Sequence, residues 1–243
     1  SMPEEINRLA TDAISDLLLT PSLDGNMHLQ NEGVSEEKIK FVGNIMIDSL
    51  VEQKCKAESS DILKQLNQKH QADIQRENYC LITLHRPSNV DTPEGLKVIL
   101  DAFETISEKL NLIFPIHPRT LKNIEIFGFQ AQIKRMKNLI FTEPIGYYDF
   151  MHLQMNAKFI LTDSGGIQEE TTYFGIPCLT LRENTERPIT ITEGTNQLVE
   201  LKTNEIVKKA FEIINGKTKQ GRIPEFWDGK TAERVVRLFR DIF

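Results

Sequence analysis

Lys158-Phe159-Ile160-Leu161-Thr162-Asp163-Ser164-Gly165-Gly166-Ile167-Gln168-Glu169-Glu170 is the stretch whose reading decides the fold. An apolar run, a small-residue turn and a helix start follow one another, as in a parallel α/β sheet. A helix that opens this way offers unpaired backbone N–H groups and the positive end of its dipole to an anion. Gly165 and Gly166 let the anion come close to the backbone, and Ser164 can cap the helix and donate its hydroxyl. Glu170 lies about 9 Å along the helix axis from Ser164, at roughly 1.5 Å per residue. That is too far to help a phosphate but suits a carboxylate accepting two hydrogen bonds from a vicinal diol such as a ribose. The alternative is that Gln168, Glu169 and Glu170 form a solvated helix face. Past an apolar turn, Arg182-Glu183-Asn184-Thr185-Glu186-Arg187-Pro188 returns Arg182 and Arg187 to the same end of the sheet. A helix N-terminus and two arginines facing one anion outline a diphosphate site.

Outward from this stretch the chain repeats the same rhythm. Strands are expected at Tyr79–Leu84, Leu112–Ile116, Leu139–Thr142, Phe159–Thr162, Pro177–Leu181 and Gln197–Leu201. Helices are expected at Asp91–Leu110, Pro118–Phe127, Tyr147–Asn156, Gly166–Phe174 and Asn204–Ile214, with Asp91 as an N-cap. Such alternation predicts a doubly wound parallel sheet, with ligands beyond the carboxyl ends of its strands. Before it come a helix over Pro3–Asp16, a strand Leu17–Thr20, a short helix Asn26–Gly33 and a strand Ile39–Gly43. Helices over Met46–Glu58 and Asp61–His70 precede the polar linker Gln71–Asn78. A last helix, Thr231–Phe243, either covers the sheet or crosses to another domain.

His85-Arg86-Pro87-Ser88-Asn89 and His117-Pro118-Arg119 both follow strands. Each histidine alone reads first as a hydrogen-bonded turn residue. Together with Ser164 they predict one electropositive crevice. His28, His70 and His152 read as surface or packing residues. The 243 residues are 40% hydrophobic, enough for one large domain or two small ones with proper cores. A net charge of −6 argues against nucleic acid, so an anion must be held by a local cluster. Cys55, Cys80 and Cys178 show neither pairing nor metal spacing and read as free thiols in a reducing cytoplasm. No metal or cofactor is expected. No apolar run approaches membrane-spanning length, no signal peptide begins the chain, and a cytoplasmic location is expected. The chain opens directly on a helix, so it either begins that way or is the latter part of something longer.

These motifs carry a resemblance. Pro3-Glu4-Glu5-Ile6-Asn7-Arg8, Val42-Gly43-Asn44, His85-Arg86, the Asp163–Glu170 run, Thr185-Glu186-Arg187-Pro188, Gly194-Thr195 with Leu198-Val199, and Asp228-Gly229 keep their order over essentially the whole chain. The chain resembles the bacterial non-hydrolysing UDP-N-acetylglucosamine 2-epimerases, of two-domain glycosyltransferase-B type architecture. The resemblance implies that most of an N-terminal Rossmann-like domain is absent. Residues 1–43 would be its last portion, 44–227 the UDP-binding Rossmann-like domain, and 228–243 a helix crossing back. It implies inversion at C2 of UDP-N-acetylglucosamine, for surface polysaccharide precursors, by elimination and re-addition of UDP. Glu4 would be one of the carboxylates and His85 would lie by the diphosphate and sugar; both are the catalytic candidates. Arg86, His117, Ser164, Gly165, Gly166 and Arg187 would bind the diphosphate, Glu170 the ribose, and the backbone near Phe150 the uracil. The remaining acid and base groups would belong to the missing half, leaving the chain inactive alone, and the whole protein would be a homodimer.

Two positions depart from the family pattern. Ser88 stands where many members have Glu, and Ile189 where the family has Glu after Thr-Glu-Arg-Pro. The second departure leaves room for a modified UDP-N-acetylhexosamine or its uronic acid as substrate. A glycosyltransferase of the same architecture, a non-catalytic nucleotide-sugar binder and a hydrolysing epimerase are the other readings that these motifs allow.

Overall fold

A computed structural model describes residues 3–242, with the side chains of residues 3 and 4 outside the description. Backbone contacts divide the chain into two compact units, Ser1–Glu52 with Pro224–Phe243, and Gln53–Ile223. In chain order the first unit begins with α1 (Pro3–Ile14), β1 (Leu18–Thr20), α2 (Leu23–Asn31) and β2 (Ile39–Phe41). The unit boundary falls inside α3 (Ile45–Glu58). The second unit holds α4 (Ile62–His70), β3 (Tyr79–Thr83), α5 (Pro87–Val90), α6 (Pro93–Ser107), β4 (Asn111–Pro115), α7 (Pro118–Ile126) and α8 (Gln130–Arg135). It continues through β5 (Leu139–Thr142), α9 (Tyr147–Met155), β6 (Phe159–Thr162), α10 (Gly165–Phe174) and β7 (Cys178–Thr180). It closes with α11 (Pro188–Thr192), β8 (Asn196–Leu198) and α12 (Thr203–Ile214), and α13 (Thr231–Ile242) returns to the first unit.

In the second unit six strands run parallel in the order β5-β4-β3-β6-β7-β8. Counted from β3 this is 3-2-1-4-5-6, the Rossmann order, and the expected doubly wound sheet is borne out. The order reverses between β3 and β6, so their carboxyl ends flank the crevice where such sheets bind ligands. Register places Thr83 opposite Thr162 there. The two strands are buried along nearly their whole length because helices cover both faces. One layer packs α6 and α12 on the sheet through Leu96, Leu100, Phe103, Ile206 and Ile213. The other packs α4 and α9 through Leu66 and Leu153.

The first unit is a parallel pair, Leu18 opposite Ile39, sealed by the C-terminal segment. The Trp227 indole is buried and donates to Pro21 O at 3.0 Å, and the Phe41 and Phe226 rings lie 4.7 Å apart. The Asp48 carboxylate accepts the N–H groups of Thr231 and Ala232 at 3.0 and 2.8 Å, capping α13 from α3.

Several expected details shift. Asp91 is not an N-cap: it ends α5, and Thr92 caps α6 by accepting the Gly95 N–H at 3.1 Å. Pro93 at the first helical position favours that start. The short helix expected from Asn26 starts at Leu23, after an extended Ser22. α5, α8 and α11, of four to six residues, were not expected, being too short for a 3.6-residue pattern to register.

Candidate functional site

The site grows from the end of β6. Thr162 Oγ1 accepts the Ser164 N–H at 3.0 Å, which turns the chain out of the strand. Ser164 occupies the N-cap position with extended backbone, and its side chain makes no capping hydrogen bond. The first N–H groups of α10 therefore face outward with no intrahelical partner. The first turn carries no acidic residue. A Cβ built on Gly166 meets nothing within 4 Å, and one on Gly165 meets only Glu186 Oε2 at 3.8 Å. Both glycines thus leave the backbone open to a close approach.

Asp163, fully buried between the two loops of the crevice, is the residue that joins them. Its Oδ2 accepts the Arg86 N–H at 2.9 Å and the His85 N–H at 3.1 Å, and also Asn89 Nδ2 at 3.1 Å. His85 Nδ1 stands 3.0 Å from Oδ1. This carboxylate pins the β3–α5 loop, and so His85 and Arg86, beside Ser164. Arg119 Nη2 donates to His85 O at 2.7 Å and ties in the next loop, after β4. His117 caps α7 there, its Nδ1 accepting the Arg119 N–H at 3.2 Å, and its ring is exposed. The turn role weighed for His117 is therefore filled, and no hydrogen bond or ion pair among the described residues joins it to α10.

Glu186 gathers two arginines at the opening of α10, Arg182 Nη2 at 2.6 Å and Arg86 Nη2 at 3.7 Å. The hydrogen bond from Arg182 holds the Glu186 carboxyl below the usual carboxylate range. Arg187 Nε lies 2.9 Å from the buried Glu169. In the crevice expected to be electropositive, these arginines are paired with carboxylates.

The solvated-face alternative for Gln168 to Glu170 fails. Gln168 and Glu169 are buried and Glu170 is half-buried. Burial pushes the Glu170 carboxyl up from its ordinary value. Gln154 and the Tyr147 hydroxyl pull the other way; Glu169 adds to the rise. Tyr147 Oη donates to Glu170 Oε1 at 3.3 Å from an exposed position on α9. Phe150, also on α9, packs against the sheet, and its N–H is bonded to Gly146 O at 2.9 Å. Glu4 lies in the first turn of α1, its side chain outside the described residues.

Asp163, Tyr147 and Gln168 received no role from the sequence alone. Asp163 was the most legible of them, a carboxylate between an apolar strand and Ser-Gly-Gly. Tyr147 carried no signal, because its partner is 23 residues away. Among the described residues, no cluster of His, Cys, Asp and Glu could hold a metal, and no helix is long and apolar enough to cross a membrane.

A Rossmann-ordered parallel sheet with a glycine-opened helix and arginines at its switch point is the class of fold in which anionic groups are held at that place. Comparison with known proteins narrows this class. The chain belongs to the UDP-N-acetylglucosamine 2-epimerase family, whose model matches residues 1–240. It is 41% identical over 240 residues to a UDP-N-acetylglucosamine 2-epimerase of Methanocaldococcus jannaschii, covering 98% of this chain and 64% of that one. The crystal structure of the Methanocaldococcus jannaschii UDP-GlcNAc 2-epimerase in complex with UDP-GlcNAc and UDP superposes with a TM-score of 0.83. It is 40% identical and covers 99% of this chain and 65% of its own. A UDP-2,3-diacetamido-2,3-dideoxy-D-glucuronate 2-epimerase of Pseudomonas aeruginosa is 34% identical, over 97% of this chain and 62% of its own length. The chain thus spans a little under two thirds of the relatives it matches. The fold is the α/β Rossmann-like one of glycosyltransferase-B type that the resemblance implied.

Proposed function

We propose that this chain supplies the UDP-binding part of an epimerase that inverts C2 of a UDP-N-acetylhexosamine. The observation that carries the reading is Glu170, desolvated and half-buried, about one and a half turns beyond an open Ser164-Gly165-Gly166 helix start. A nucleoside diphosphate needs both chemistries at that separation, an anion cradle and a diol acceptor. In this reading Ser164, Gly165, Gly166, Arg86, His117 and Arg187 bind the diphosphate. Glu170 binds the ribose and the backbone near Phe150 the uracil. His85 sits by the leaving group, and Glu4 is one of the carboxylates.

The C2 hydrogen of the sugar is not acidic enough for simple exchange. The proposed route removes it as the C1–O bond to UDP breaks, leaving a C1=C2 double bond. Protonation of C2 from the other face and attack of UDP at C1 complete the inversion. UDP must stay bound between these steps, which asks for a tight diphosphate site. The names of the relatives support an epimerase over a glycosyltransferase, and span both an N-acetylglucosamine and a diacetamido-glucuronate substrate.

Residues 1–43 are proposed as the last portion of an N-terminal Rossmann-like domain, 44–227 as the UDP-binding domain and 228–243 as the crossing helix. The Trp227–Pro21 hydrogen bond, the Asp48 cap on α13 and the grouping of the C-terminal segment with the first unit support assigning the terminal helix to the first domain. The whole protein is proposed to be a cytoplasmic homodimer acting on surface polysaccharide precursors, with no nucleic-acid partner.

Isothermal titration with UDP tests the reading. Micromolar-range binding, weakened by Glu170→Ala and by Ser164→Ala, is expected. A chain that melts cooperatively yet binds no UDP would refute it.

A further inference from the structure

Gln168 touches both halves of the anion site from a position with no exposure at all. Its Nε2 donates to Ser164 O at 3.2 Å, on the turn that opens α10. Its Oε1 accepts Thr185 Oγ1 at 2.6 Å and Asn196 Nδ2 at 3.0 Å. Thr185 Oγ1 in turn accepts the Arg187 N–H at 3.0 Å. A three-link chain therefore runs from the Ser164 turn through Gln168 and Thr185 to the backbone of Arg187. The next helix residue, Glu169, holds the Arg187 guanidinium.

The far end of the network is just as closed. Asn196 Oδ1 accepts Thr180 Oγ1 at 2.7 Å, and Asn196 Nδ2 also reaches Thr190 Oγ1 at 3.2 Å. Thr190 Oγ1 donates to Arg187 O at 2.7 Å. Both carbonyl and N–H of Arg187 are thereby referred to Gln168, one directly through Thr185 and one through Asn196 and Thr190. A buried polar network with every member satisfied gives a loop one position where apolar packing would allow several.

We propose that Gln168 and Thr185 are positioning residues that set Arg187 against the α10 N-terminus, so that a diphosphate meets helix dipole and guanidinium together. This rests on the nucleotide reading above, and the substrate features it concerns are the phosphates alone. Thr185→Val is the sharper variant, because Gln168 then keeps Ser164 and Asn196 and the core is untouched. Gln168→Glu removes the donor to Ser164 O but preserves shape.

UDP and uridine are titrated against wild type, Thr185→Val, Gln168→Glu and Thr185→Ser, with a thermal melt for each. Thr185→Val is expected to weaken UDP about tenfold, the scale of one charge-assisted hydrogen bond, while uridine and the melt stay unchanged. Thr185→Ser, which retains the hydroxyl, is expected to restore UDP binding. Equal UDP affinity in Thr185→Val and wild type overturns the positioning role alone. Parallel losses of UDP, uridine and melting temperature also overturn it, since they report general damage. A folded wild type that binds neither ligand overturns the nucleotide reading and this inference with it.

Discussion

Asp163→Ala should separate the two loops of the crevice and cost the second unit much of its stability. The side chain is fully buried, and the substitution strands the His85 and Arg86 N–H groups that it accepts at 3.1 and 2.9 Å. Asn89 loses one acceptor but keeps Leu181 O at 3.1 Å, so it adds little. Water entering the space left by the carboxylate relieves part of the penalty. Two stranded donors at about 1–2 kcal/mol each give roughly 2–4 kcal/mol, a large fraction of the ~5–15 kcal/mol that holds most domains folded. At about 2–4 °C per kcal/mol for a domain of this size, the melt should fall by roughly 4–16 °C. Asp163→Asn keeps the shape and one acceptor but turns an NH2 toward a donor, and should fall between. Urea unfolding followed by circular dichroism, with a thermal melt, measures all three proteins. A loss below about 1 kcal/mol for Asp163→Ala, or a larger loss for Asn than for Ala, would show that this carboxylate is not the joint between the loops.

Other perturbations probe separate parts of the molecule. Gly166→Ala puts a methyl into open space at a helical position, so stability should hold or rise by up to about 1 kcal/mol, while UDP affinity drops as the Cβ keeps the anion off the backbone; unchanged affinity by titration would remove Gly166 from the site. Gly43→Ala, at φ +100° with a Cβ 2.2 Å from Phe226 O, should destabilise the first unit by more than about 2 kcal/mol in urea unfolding, and a near-neutral result would contradict the seal there. Glu170 has its folded-state pKa raised, chiefly by burial, so it binds its proton more tightly folded than unfolded. The cost to stability therefore grows as pH rises above the ordinary carboxylate value and is complete above the raised one. Glu170→Gln should out-melt wild type at neutral pH and lose that advantage as pH falls through the raised value toward the ordinary carboxylate value. On the same acid limb wild-type UDP affinity should fall as the carboxylate protonates, and titrations at stepped pH that stay flat would deny Glu170 the diol.

The legible part of this chain was its sheet. The apolar runs at Tyr79–Leu84 and Phe159–Thr162 are buried on both faces and so announce themselves without alternation. Ser164-Gly165-Gly166 announced the helix start, because glycine and serine have few other reasons to follow such a strand. Ends decided by one hydroxyl were not legible. Thr92 and Asp91 are both good caps, and only the Thr92–Gly95 bond chooses between them.

The sequence by itself determined the parallel α/β class, the helix that opens on two glycines, the arginines that follow it and the family. Those features are local, and hydrophobic period and turn chemistry express them within a few residues. Tertiary structure alone decided which loops meet. Strand order puts β3 beside β6, so Asp163 closes on His85 and Arg86 from 78 and 77 residues away. Burial alone turned Gln168, Glu169 and Glu170 from a possible surface stripe into a network, an arginine anchor and a desolvated carboxylate. No spacing within a helix records what packs against it; that is set by partners brought from distant parts of the chain.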